Sequence, residues 1–145
     1  MIILLPVDGS ELSLHETHFA LRLVREGLAA SFVLANVQEP ASFYEIVTAR
    51  NDAALLAGVA RGAGEDMIAP AARLLEDAGV AFATAVVTGE PVQAMLELIE
   101  VHRCDLVVIG SRALGPLRAA LEGSTAARLV HAAPVPVLLV KPPAE

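Results

Sequence analysis

Apolar positions gather into four short runs rich in Ile, Val and Leu: "IILLPV" (2–7), "FVLANV" (32–37), "DLVVIG" (105–110) and "PVLLV" (136–140). Each has the length of a strand, and none alternates with polar residues, the pattern expected of strands covered on both faces. A fifth stretch, "VAFATAVVT" (80–88), alternates more and predicts a less buried strand, suited to a sheet edge.

Helical patterns separate these runs. Ser10 can cap a helix over about 11–29 that decays at Gly27. In "GEPVQAMLELIEVHR" (89–103), Val92, Met95, Leu96 and Ile99 recur at helical spacing. Pro91 falls in the first turn, where its missing N–H costs nothing. "GSTAARLVHAA" (123–133) is stopped by Pro134 and Pro136. The stretch 48–79 is helical by composition, yet Gly58, Gly62, Gly64 and Pro70 interrupt it. An interior proline costs a helix about 3 kcal/mol. We therefore expect an irregular segment over about 41–60, followed by a helix that kinks near Pro70 and ends at Gly79. The order β-α-β-α-β-α-β-α-β predicts a parallel sheet with helices on both faces, in one domain spanning 1–145.

The bulk numbers narrow the class. The chain has 145 residues, 55% of them apolar, with a formal net charge of −7. No stretch of about 18 residues is free of charge, so a membrane span is not expected. The start, "MIILLPVDGSE", lacks a basic segment and a small-residue cleavage site and reads as a strand rather than a signal peptide. Cys104 stands alone, which excludes an intrachain disulfide and fits a reducing cytoplasm. With no basic run and few aromatic residues, a general nucleic-acid surface is not expected.

In a sheet of this kind, ligands settle beyond the carboxyl ends of the strands, where strand order reverses. "PVDGS", "NVQEP" and "IGSRALG" follow three of the expected strands. The last runs through Gly115 to Gly123, Ser124 and Thr125, which open a helix. A helix N-terminus offers unpaired N–H groups and partial positive charge to an anion. Arg112 and Arg118 against Glu122 leave this loop net positive in an acidic chain. It is not a Walker A loop, because Pro116 and Leu117 stand where Lys and Ser/Thr belong, and no G-x-G-x-x-G is present. On spacing alone, a connecting loop whose glycines serve turns fits as well as a phosphate loop.

The whole chain nonetheless resembles the universal stress protein family. The resemblance rests on "VDGSE", "ANV", "CDLVVIGSR" and "GSTAARLVHAAPVPVLLVK". ATP-binding members of that family carry G-x2-G-x9-G-[ST]. Gly110, Gly123 and Ser124 match it, while Ala113 replaces the second glycine. The resemblance implies a Rossmann-like α/β fold, a five-stranded parallel sheet in the order 3-2-1-4-5, and ATP, with Mg2+, as cofactor. Asp8 would lie near ribose and phosphates and help place the metal. Val37 would meet the adenine edge, and Gly110, Arg112 and Ala113 would follow the ribose and phosphates. The amides of Gly123, Ser124 and Thr125 would cradle the distal phosphates. If position 113 needs a positive φ, alanine costs about 1–2 kcal/mol there, a weakening and not a loss; if it needs only a small side chain, one methyl is tolerated. The resemblance also implies a homodimer through the last strand, Val135–Val140, an unidentified protein partner, and a regulatory part in stress response. A nucleotide-independent dimeric scaffold is the alternative. Slow ATP hydrolysis would need a water-orienting group, for which only Asp8 and the two arginines are available.

Other residues read more simply. Asp8 before Gly9 and Ser10 also suits a turn or a cap. Glu11, His15 and His18 share a helix face but lack further metal ligands, so a solvated face is expected. His102 and His131 suit helix C-termini, and Cys104 suits packing. Ser10, Ser111 and Ser124 lack the surroundings of a nucleophile.

Overall fold

The computed structural model describes residues 1–39, 53–111 and 125–143. Its elements follow the expected order: β1 (Ile2–Pro6), α1 (Glu11–Arg25), β2 (Ser31–Gln38), α2 (Ala53–Asp77), β3 (Phe82–Thr88), α3 (Pro91–His102), β4 (Leu106–Gly110), α4 (Thr125–Ala132) and β5 (Val137–Val140). The strands form one parallel five-stranded sheet in the order β3-β2-β1-β4-β5, as the resemblance implied. The half-exposed "FATAVVT" run is an edge strand, as its alternation predicted.

The period of two along each strand divides the apolar side chains between two layers. Ile3, Leu5, Phe32, Leu34 and Val108 face Ala20 and Leu21 of α1 and Ile68, Ala71 and Leu75 of α2. Leu4, Val33, Ala35, Val107 and Ile109 face Val92, Met95, Leu98 and Ile99 of α3 and Ala126 and Leu129 of α4. Ile3, Leu4 and Leu5 have no exposed surface, which explains why the first run carries no polar residue. Burying each such side chain contributes about 1.5–3 kcal/mol. Asp105 aligns the strand starts. Its N–H donates to the Ile2 carbonyl at 2.7 Å, and its Oδ2 accepts the Ile2 N–H at 2.8 Å.

The middle of the chain differs from expectation. Residues 53–60 are helical rather than irregular, and α2 continues through Pro70 to Asp77. The rest of the expected irregular segment, 41–52, lies outside the described residues. Local penalties at Pro70 are offset because Ile68, Ala71 and Leu75, at spacings of three and four, are almost wholly buried against the sheet. Gly64 is where the helix comes nearest the strands. A Cβ there would lie 2.5 Å from Val86 Cγ1 and 3.0 Å from Asn36 Oδ1. Among the described residues, no helix is long and apolar enough to cross a membrane.

Gly64→Ala should therefore destabilise the fold by about 1–3 kcal/mol, although alanine is the better helix former by about 1 kcal/mol. Urea midpoints check this. Adding Val86→Ala to the variant should restore part of the loss.

Candidate functional site

β1 has β2 on one side and β4 on the other, so the order of the sheet reverses beside it. A cleft of about 580 Å³ opens there, at the carboxyl ends of the three strands, within the range of small-molecule sites. Its walls include Val7 and Asp8 after β1, Asn36 to Glu39 of β2 and beyond, and Ile109 and Gly110 of β4. The first turns of α1, α3 and α4 contribute Ser13, Pro91 and Thr125. Three helix N-termini thus converge on one hollow, each with partial positive charge.

Four of the residues expected at the site meet here: Asp8, Val37, Gly110 and Thr125 line the cleft. Arg112, Ala113, Gly123 and Ser124 lie outside the described residues. Asp8 holds the turn into α1. Its Oδ1 accepts the Ser10 N–H at 3.0 Å and the Ser13 hydroxyl at 2.7 Å, and its own N–H donates to Ser13 Oγ at 2.9 Å. Gly9 between them has φ +80°, which favours glycine. The helix cap itself is Ser10, whose Oγ accepts the Ser13 N–H at 3.2 Å. Thus Asp8 shapes the turn, Ser10 caps, and both line the cleft.

Gly110 is required by packing. A Cβ there would come 2.8 Å from Leu12 Cγ, so α1 lies directly against the end of β4. Beneath the cleft floor, Asn36 is buried and its Nδ2 donates to the Val7 carbonyl at 2.8 Å, tying β2 to β1. The same amide points toward Met67 Sδ at 3.4 Å, which brings α2 to the rim. Gln38 donates to Asn36 Oδ1 alongside. Across the cleft, the N-termini of α3 and α4 are joined. Glu90 caps α3 by accepting the Gln93 N–H at 2.8 Å and pairs with Arg128 at 2.7 Å. The Gln93 amide, followed by Arg128, holds the Glu90 carboxyl below its usual range.

Glu16 is the residue that sequence reasoning missed. It lines the cleft yet is only 3% exposed, and its Oε2 accepts the Gly110 N–H at 3.1 Å. It also hydrogen-bonds the Ser13 side chain. Burial pushes its carboxyl up to about 9, against the opposing pull of the Gly110 amide and Ser13. At neutral pH it is therefore an uncharged acid. The available signal was its place on the buried stripe Ser13, Glu16, Thr17, Ala20, Leu21. Among the described residues no group of three or more His, Cys, Asp or Glu side chains could hold a metal. Cys104 is buried, and burial first, then Asp105, raises its thiol above the ordinary range.

Sheet order and cleft define a parallel α/β domain with an open hollow at its strand ends, the place where ligands settle in sheets of this kind. A model described as "Universal stress protein family" matches residues 1–141, and the chain belongs to that family. Universal stress protein MJ0531 of Methanocaldococcus jannaschii is 28% identical over 141 residues, covering 97% of this chain and 82% of its own. A solved universal stress protein in complex with cAMP is 25% identical with a TM-score of 0.72, covering 97% of this chain and 96% of that one. The solved hypothetical protein MJ0577 is 22% identical with a TM-score of 0.79 over 99% of this chain and 97% of that one, a likeness of fold.

The raised Glu16 carboxyl carries a stability signature. Unfolded, it ionises near 4.5, while folded it keeps its proton to about 9. Between those values the unfolded state alone loses the proton, so this group lowers stability as pH rises, by at most about 1.4 kcal/mol per pH unit. The effect is absent below the lower value and levels off above the upper one. Glu16→Gln keeps the acceptor for Gly110 and cannot ionise. Its gain over wild type should be about 1–3 kcal/mol larger at pH 8 than at pH 5, as read from denaturant midpoints.

Proposed function

We propose that this protein is a regulatory module that binds ATP in the cleft and acts in stress response, in the cytoplasm, through dimerisation and contact with another protein. The observation that carries this reading is the meeting of three strand ends with three helix N-termini around a hollow of about 580 Å³. Backbone amides at such termini suit phosphate oxygens. A relative of the same fold, 25% identical, was solved in complex with cAMP, which supports an adenine nucleotide as the ligand class.

In this reading, Val37 meets the base edge with its backbone, and Asp8 and Gly110 border the ribose and phosphates. Arg112, Ala113, Gly123, Ser124 and Thr125 take the phosphate chain. The described residues do not by themselves fit a resident metal. They include no three-ligand group, and Asp8 Oδ1 is engaged by Ser10 and Ser13. Any Mg2+ would therefore arrive with the nucleotide's phosphates, the usual habit of that ion. No catalytic residue is assigned.

Protein recovered without added nucleotide should release adenine nucleotide on denaturation, detectable by chromatography of the supernatant. In calorimetry with ATP, Ala113→Gly should bind about tenfold more tightly than wild type, as relief of about 1.4 kcal/mol would give. No heat from either protein would leave the nucleotide-independent scaffold as the reading.

β5 supports the dimer. It pairs with β4 along one side only, and Leu139 is 41% exposed. An apolar edge of this kind invites pairing with a second chain. Leu139→Lys should shift the sedimentation profile from dimer to monomer while leaving the circular dichroism spectrum unchanged.

A further inference from the structure

Glu16 is a carboxyl group set into the wall of the cleft, with no cationic partner among the described residues. Its Oε2 accepts the amide of Gly110, the residue that leaves β4, at 3.1 Å. Its other polar contact is Ser13, whose hydroxyl donates to Asp8 Oδ1 at 2.7 Å and accepts the Asp8 N–H at 2.9 Å. One side chain of α1 thereby ties the exit of β4 to the exit of β1, the two strand ends that flank the reversal point. We propose that Glu16 is a positioning residue of the nucleotide cleft, a clamp between Gly110 and the Ser13–Asp8 pair, and that its proton couples the site's affinity for an anionic ligand to pH. The proposal rests on the nucleotide reading above and deepens it.

A protonated carboxyl completes this arrangement. Its Oε2 accepts from Gly110, and its proton leaves the wall beside Asp8 without a second negative charge. Ionisation places negative charge in the wall of a cleft proposed to take phosphates. Among the described residues, neighbouring charges do not override this. On α1, half-buried His15 adjoins it in sequence. From β1, Asp8 faces it through Ser13, and β4 supplies only backbone. The titratable side chains of α2 from Arg61 to Asp77 are exposed, as are Glu39 beyond β2 and Lys141 beyond β5. Burial is the first cause holding the carboxyl near 9, and no charge appears among the causes. Affinity for an anion should thus be full at neutral pH and fall as pH rises through that value.

The test uses ATP without added metal, at pH 8 to about 10, where its terminal phosphate, with a second pKa of about 6, no longer titrates. Wild type should lose about tenfold in affinity across this window, and Glu16→Gln less than about twofold. Parallel profiles in the two proteins would overturn the coupling. Glu16→Ala, which strips the Gly110 N–H of its acceptor, should weaken binding about tenfold at pH 8, with Glu16→Gln retaining it. Unchanged binding in the alanine variant would overturn the positioning role. A ligand-free arm separates this idea from the nucleotide reading: the Gly110 amide resonance should titrate near pH 9 in wild type and not in Glu16→Gln. A flat Gly110 resonance in wild type would overturn the clamp. If ATP binds at no pH, the nucleotide reading and the affinity coupling fall together, and the amide titration still decides the clamp.

Discussion

Everything in this domain follows from a sheet whose central strands are covered on both faces. β1 and β4 have helices above and below them, so their side chains can touch only apolar groups, and the chain supplies almost nothing else. Chemistry is thereby confined to the strand ends. Parallel strands send all their carboxyl ends to one edge, and each following helix begins there, with its unpaired amides directed toward that edge. The cleft is the geometric remainder of that constraint. It opens where neighbouring connections leave in opposite directions.

The polar residues near this edge show how closely the site and the core are joined. Thr17, Asn36, Ser13 and Glu16 are all buried, and among the described residues no buried side-chain nitrogen or oxygen lacks a partner. An unpaired buried polar group costs about 1–3 kcal/mol, so such a network is either complete or a weakness. Asn36 extends the pairing of β2 with β1 beyond their ladder, and Ser13 links the first turn of α1 to Asp8. Glu16 is the exception in kind. It has its partners, but it keeps them in a place where the charged form of a carboxyl is disfavoured. Leaving an acid at this position lowers stability at neutral pH, which is the sort of local conflict that binding sites tolerate.

Much of this was legible in the residues. The unbroken apolar runs announced two-sided burial, and the alternation in "FATAVVT" marked the edge strand. Asp8, Val37 and Thr125 were expected at one site from three distant segments, and all three line one cleft. The long helix was less legible. Gly58, Gly62, Gly64 and Pro70 lower its intrinsic propensity, yet α2 forms, because Ile68, Ala71 and Leu75 find the sheet and Gly64 lets the helix approach it. Propensity is a local quantity, and the deciding energy here was not local. Gly110 was legible only in part. Its place at the end of an apolar run suggested a close backbone approach, but its contact with Leu12 depends on where α1 lies.

The sequence by itself determined the class of fold, because patterns of period two and period 3.6 are properties of neighbouring residues and survive without any knowledge of their partners. Family motifs added the sheet order and the expected ligand region. Tertiary structure alone decided the state of Glu16. Its acceptor role toward Gly110 joins positions 94 residues apart, and its proton is held by the apolar layer that closes around it. A carboxyl's charge is set by the medium around it, and that medium exists only once α1 has settled against β4.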